Sequence, residues 1–229
     1  SAGYSHSCAV LDTGAVRCWG ANGLGQIGDG TTTTRLVPTE PTGASSGFVD
    51  IAAGALFTCG LTTTGTVKCW GRGDFGQIGN GSFDDKTVPT AVSALTDVVR
   101  LVSGTNHTCA IDSGAALYCW GMNAYGNLGI GSTAHTATPT AVGTPGWADV
   151  AAGNDTTCAL TTAGAAYCWG RNNFGQVGDG TTTDRASPTA VNGAESGIVG
   201  VSAGHEFNCV LRSNGTIGCV GNNANGRLG

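Results

Sequence analysis

Charge is scarce in this chain of 229 residues: Asp, Glu, Lys and Arg together make up 11%, against roughly 25% in an ordinary soluble domain. No two basic residues are adjacent and the net charge is −5, so the basic stripe that nucleic-acid phosphates require is missing. No apolar run approaches the ~20 residues of a membrane-spanning helix. Proline occurs six times and methionine once. No two cysteines lie two to four residues apart, which removes the usual zinc spacing and the C-x-x-C redox pair. H-E-x-x-H is absent. The chain carries no initiating Met and no signal peptide, which points to a processed, trimmed or excerpted sequence. These gaps leave a charge-poor protein with no expected cofactor or metal, no nucleic-acid partner and no membrane span.

Glycine and cysteine fill the space, with 40 and 10 residues. Aliphatic and aromatic residues recur at regular places, so the chain does not have the composition of a disordered one. The cysteines come as five pairs, each ten positions apart: Cys8 and Cys18, Cys59 and Cys69, Cys109 and Cys119, Cys158 and Cys168, Cys209 and Cys219. Successive pairs begin 51, 50, 49 and 51 residues apart. Three further blocks repeat with them. GLGQIGDG at 23 returns as FGQIGNG at 75, YGNLGIG at 125, FGQVGDG at 174 and a truncated NGRLG at 225. A Pro-Thr block follows at 36, 87, 138 and 187, and an apolar lead-in at 48, 98, 148 and 198 opens the next unit. A unit therefore reads as four short strands bounded by turn residues, which is the sequence sign of a β-propeller blade. The units run 1–47, 48–97, 98–147, 148–197 and an incomplete 198–229 within a single repeat domain, and the expected fold is all-β, a propeller of four and a half blades of about 50 residues.

The run G-x-x-x-x-C-A-(V/L)-x-x-x-G-x-x-x-C-W-G-x-N-x-x-G-Q-(L/I)-G resembles the repeat of the regulator-of-chromosome-condensation family. It stands at Gly153–Gly178 and, with variations, at Gly3–Gly28, Gly54–Gly79 and Gly104–Gly129. The resemblance implies a propeller, typically of seven blades, so three architectures stay open: an excerpt of a longer propeller, a five-bladed ring, or an open array completed by another chain. The family's roles rest on variable loop faces, and none transfers residue by residue.

Each cysteine pair brackets a hairpin. A three-residue turn, Asp12-Thr13-Gly14 in the first unit, puts Cys8 opposite Cys18 and asks Gly14 for a left-handed conformation. The third unit has Gly114 at its midpoint instead, which predicts a different turn type there. Paired cysteines in this number indicate hairpin disulfides and an oxidising, extracellular compartment. Each would stabilise the fold by roughly 2–3 kcal/mol.

Candidate sites follow from the same repeats. Gly23–Gly28 matches the G-x-G-x-x-G spacing, but no helical pattern follows it, so it reads as a turn. Arg72-Gly73-Asp74 spells an adhesion tripeptide, yet its slot belongs to the repeat. Asp29, Asp84, Asp85, Asp179 and Asp184 decorate turns and are candidate calcium oxygens or solvated turn residues. His6, Phe57, His107, Thr156 and Phe207 share one repeat position, either a recognition face or half-buried strand residues. His135 and His205 are the remaining histidines. Asn80, Asn106, Asn154 and Asn214 head N-x-(S/T) sequons and are candidate glycan sites, with Thr31–Thr34 and Thr181–Thr183 as O-glycan candidates. Trp147 stands outside the repeat pattern and is the candidate platform for a carbohydrate. The expected function is a secreted, non-enzymatic binding or structural scaffold whose partner is another protein or a second copy of the chain. Its alternatives are an inhibitor or regulator of an extracellular enzyme, or a carbohydrate-binding module.

Overall fold

The computed structural model describes residues 1–143 and 146–229. Among these residues, eighteen strands form five antiparallel sheets in sequence order. The first sheet holds β1 (His6–Val10), β2 (Val16–Gly20) and β3 (Arg35–Thr39). The second holds β4 (Phe48–Ala53), β5 (Phe57–Thr62), β6 (Val67–Gly71) and β7 (Lys86–Ala91). The third holds β8 (Val98–Ser103), β9 (His107–Asp112), β10 (Leu117–Gly121) and β11 (Thr136–Val142). The fourth holds β12 (Trp147–Ala152), β13 (Thr156–Thr161), β14 (Ala166–Gly170) and β15 (Arg185–Ala190). The fifth holds β16 (Ile198–Ala203), β17 (Phe207–Arg212) and β18 (Ile217–Gly221). Each sheet is a meander, so every blade is built from one continuous stretch of chain. The lead-in strands β4, β8, β12 and β16 lie side by side around one axis, and their small residues line an axial groove.

The hairpins carry the disulfides in direct register. Cys8 pairs across from Cys18, and the other four pairs repeat the arrangement with Cα atoms 4.1 to 4.2 Å apart. That is nearer the close, non-hydrogen-bonded spacing of opposed residues than the wide one. Gly14, Gly65, Gly164 and Gly215 all sit at positive φ at the end of their three-residue turns. In the third blade the turn does not change type, contrary to the expectation from Gly114. Ala115 takes the left-handed position with φ 63°, and its amide donates to Asp112 O as Gly14 does to Leu11 O. The registry of the strands and the bridge overrides the alanine's steric preference.

Among the described residues there is no single core. Buried side chains fall into four clusters, one in each seam between adjacent sheets. Hence the central strands are apolar on both faces, and β13 is buried from end to end. Trp147 also belongs to a seam. It is the first residue of β12, where Phe48, Val98 and Ile198 open the equivalent strands. It is 2% exposed, sits edge-on to Tyr167 with centroids 5.8 Å apart, and donates its indole N–H to Gly143 O. It is a repeat residue in a larger size, and a buried ring offers no platform to a sugar.

Candidate binding face

The repeated Gly-Gln-Ile-Gly block is more than a turn, because each of the first four copies bonds to the next blade. The Gln26 carbonyl accepts the Trp70 indole N–H at 2.9 Å and the Thr58 hydroxyl at 3.0 Å. Gln77 O accepts from Trp120 at 3.0 Å, and Asn127 O from Trp169 at 3.1 Å and Thr157 at 2.8 Å. The closing glycine lies flat on the ring: a Cβ on Gly79 would come within 2.7 Å of Trp120 Nε1. Trp70, Trp120 and Trp169 are fully buried by these contacts. In the last seam Val220 replaces the tryptophan, and the Asn208 amide donates to Gln176 O at 2.8 Å. The signal in the sequence is that a tryptophan recurs about one unit after each of the first three blocks, a pairing visible only once blades are placed side by side.

Four of the five positions read as a recognition face lie inside these seams, and the fifth, Phe207, is on the last blade. His6, Phe57, His107 and Thr156 are 0 to 3% exposed and Phe207 is half-buried. Each aromatic or imidazole ring lies against the glycine three residues before it; a Cβ on Gly54 would meet Phe57 Cε1 at 2.0 Å. His6 Nε2 is 2.8 Å from Thr58 Oγ1, and His107 Nε2 is 2.9 Å from Thr157 Oγ1. Both threonine hydroxyls already donate to a carbonyl, so each histidine donates its Nε2–H and leaves Nδ1 bare. Burial pushes both histidines down to about 4. A recognition surface must therefore lie elsewhere.

The loops immediately above are the next candidate. The lead-in-to-hairpin tips and the segments after each Cys-Trp-Gly are bonded pairwise: Arg72 N to Leu56 O, Met122 N to Asn106 O and Arg171 N to Asp155 O, all at 2.9 Å. Neighbouring tips are tied across blades as well, from Tyr4 N to Ala55 O, Ala55 N to Thr105 O, and Thr105 N to Gly153 O. The backbone bonding within each blade's rim is uniform while its side chains are not. Tyr4, Ala55, Thr105, Asn154 and His205 occupy one position, and Ala21, Arg72, Met122, Arg171 and Asn222 another. Arg72 stacks on Phe75 at 4.9 Å and Arg171 on Tyr125 at 5.0 Å. Asp155 is buried beside Arg171 and His205, and burial raises its carboxyl above the usual range despite the guanidinium 3.5 Å away.

The other candidates hold loops together. In Asp179, burial pushes the carboxyl up, but hydrogen bonds from Thr181 and Arg185 outweigh it and bring it down to about 2; Asp29 repeats this with Thr31 and Arg35. Asp85 and Asp184 accept the amides of Gly73 and Asn172. Asp84 accepts the Ser82 hydroxyl. No group of three or more metal-ligating side chains occurs among the described residues. His135 accepts the Asn123 amide through Nδ1 and meets Phe75 edge-on. Arg72 and Asp74 of the adhesion tripeptide pair with each other at 2.7 Å. Gly43-Ala44-Ser45-Ser46-Gly47 has nucleophile-elbow spacing, but strand β4 follows it where an elbow needs a helix.

Five meandering blades clamped through Trp and Gly-Gln blocks match one family model along their whole length, that of the RCC1-like domain over residues 1–229. The chain belongs to the RCC1-like domain family. This RCC1-like domain is 36% identical over 95 residues to the human probable E3 ubiquitin-protein ligase HERC4, covering 41% of the chain and 9% of that protein. It is 37% identical over 97 residues to the Arabidopsis thaliana ultraviolet-B receptor UVR8, covering 42% of the chain and 22% of the receptor. The alignments thus span less than a quarter of either relative's length. Among solved structures it superposes on human WBSCR16 with a TM-score of 0.85 at 21% identity, covering 96% of this chain and 60% of that one. Prp20p of Saccharomyces cerevisiae, described with binding to Gsp1p and histones, gives 0.82 at 24% identity over 95% and 56% of the two chains. At these identities the superpositions establish the propeller fold.

Proposed function

We propose that this RCC1-like domain is a non-enzymatic protein-binding module that works outside the cytosol and engages its partner through the loop rim. The observation that carries this reading is the contrast between a rim backbone bonded alike within each blade and side chains that change around the ring, Tyr4, Ala55, Thr105, Asn154 and His205 at one position. A rigid frame with variable display is how a propeller acquires a specific partner. The axial groove supports it, because glycine, alanine and serine dominate the lining where an enzyme would bring convergent polar groups. Five disulfides support the oxidising compartment, and the family likeness to protein-binding propellers supports the class of partner.

A photo-crosslinking residue placed at Thr105 or Asn154 tests the rim, and one at Thr64 or Ala163, in the hairpin turns at the opposite end of the blades, serves as control. The reading expects a discrete crosslinked protein from the rim positions only, in native extracellular material. A crosslinked dimer of the chain would identify the partner as a second copy. Equal products from both ends, or none from the rim, would overturn the reading.

A further inference from the structure

Four sequons share one sequence pattern, but the fold treats them differently. Asn106 and Asn154 sit on the rim with their third residues, Thr108 and Thr156, buried in the seams at 0 and 1% exposure. Asn106 Oδ1 is itself buried. Asn154 Nδ2 is engaged by Asp155 Oδ2 at 2.9 Å. Asn80 is half-buried, and its loop is held to the third blade by Gly81 N to Ala137 O at 2.8 Å. Asn214, Gly215 and Thr216 differ in being exposed at all three positions. They lie at the β17–β18 hairpin turn, where the interior counterparts of Asn214, at Thr64, Gly114 and Ala163, are exposed too, while those of Gly215 and Thr216 are half-buried. Thr216 donates both its amide, at 3.0 Å, and its hydroxyl, at 2.8 Å, to Asn214 Oδ1. This holds the amide plane fixed while Nδ2, the atom that would form the glycosidic bond, has no protein partner among the described residues.

We infer that Asn214 is an N-glycosylation site, and that the folded chain presents this sequon in preference to the other three. The inference rests on the extracytoplasmic reading above, since the donor, a polyprenyl-diphosphate-linked oligosaccharide, is used on the lumenal or outer side of a membrane. In the transfer, Asn214 Nδ2 forms a bond to C1 of the first sugar. The C1–O bond to the diphosphate breaks, the lipid diphosphate leaves with the bonding pair, and Nδ2 gives up one proton. The glycan would project from the end of the blade opposite the rim and leave that face clear.

The test is secretion of the whole chain behind a leader from a eukaryotic cell, followed by intact mass with and without peptide N-glycosidase and by peptide mapping. The expected result is a single enzyme-sensitive increment that leaves Asp at position 214. It is lost completely in N214Q and in T216A, which keeps the asparagine, and unchanged in N80Q. Counting disulfides in the same spectrum separates the two readings: five bridges with no sugar at Asn214 would overturn the glycan site and leave the compartment standing. Predominant occupancy of Asn106 or Asn154 in folded protein would overturn it as well.

Discussion

The seams between blades one and two and between blades three and four are closed by a buried histidine; the seam between blades two and three is not. At the first and third seams His6 and His107 donate to a threonine, which donates to the carbonyl that also receives a tryptophan. At the second, Phe57 fills the same space and Thr108 turns instead to Ser103 and to Cys59 Sγ, 3.7 Å away. At the fourth, the chain of donors is rebuilt from Thr156 and Asn208. One backbone position thus accepts a polar relay or a plain ring of similar size, because the glycine three residues before it leaves room for either. The two solutions differ in what they do when the pH falls.

The largest contrast lies in the aromatic clamp. Trp120→Ala should cost about 3–5 kcal/mol, since a fully buried indole leaves both a cavity and an unpaired carbonyl. Val220→Ala, at the half-buried equivalent, should cost about 1 kcal/mol. Urea unfolding of the two variants measures the difference; equal losses would show that the clamp does not depend on the tryptophan.

The histidine seams come next. Each histidine titrates at about 4 when folded and at 6.5 when exposed, so the unfolded chain binds more protons between those values. Their neutral forms are accommodated fully above about pH 6.5, and that stability is lost progressively as pH falls towards 4. The loss is at most ~3 kcal/mol per histidine. Thermal unfolding should therefore drop across this window, and the double variant His6→Phe with His107→Phe, built on the Phe57 precedent, should flatten it. An unchanged slope in that variant would assign the acid sensitivity elsewhere.

The smallest effect is expected at the third hairpin. Ala115→Gly relieves a left-handed alanine and should stabilise by about 0.5–1 kcal/mol, whereas Gly65→Ala should destabilise the second hairpin. Calorimetry of the pair checks whether the turns are as alike as their hydrogen bonds suggest.

Most of the blade was legible because its determinants are local. Cysteine spacing, the turn glycine and the alternation of apolar residues act within about 15 residues, and together they placed the hairpins and their bridges. Apart from the turn of the third hairpin, where Ala115 rather than Gly114 takes the left-handed position, the misreadings concern neighbours. Trp147 looked foreign until it took the place of Phe48, Val98 and Ile198. His6, Phe57 and His107 looked like a display because they vary, and they vary because each fits a different seam. The rim was not legible, since its uniformity lies in backbone hydrogen bonds that leave no residue signature.

By itself the sequence determined the repeat, the four-stranded unit, the disulfide pairing and the family, because those depend on periodicity and short-range sterics. Only the tertiary structure decided which faces of each unit are covered. That choice depends on the blade alongside, whose Gly-Gln block lies about 42 to 44 residues away in the chain and in direct contact in space.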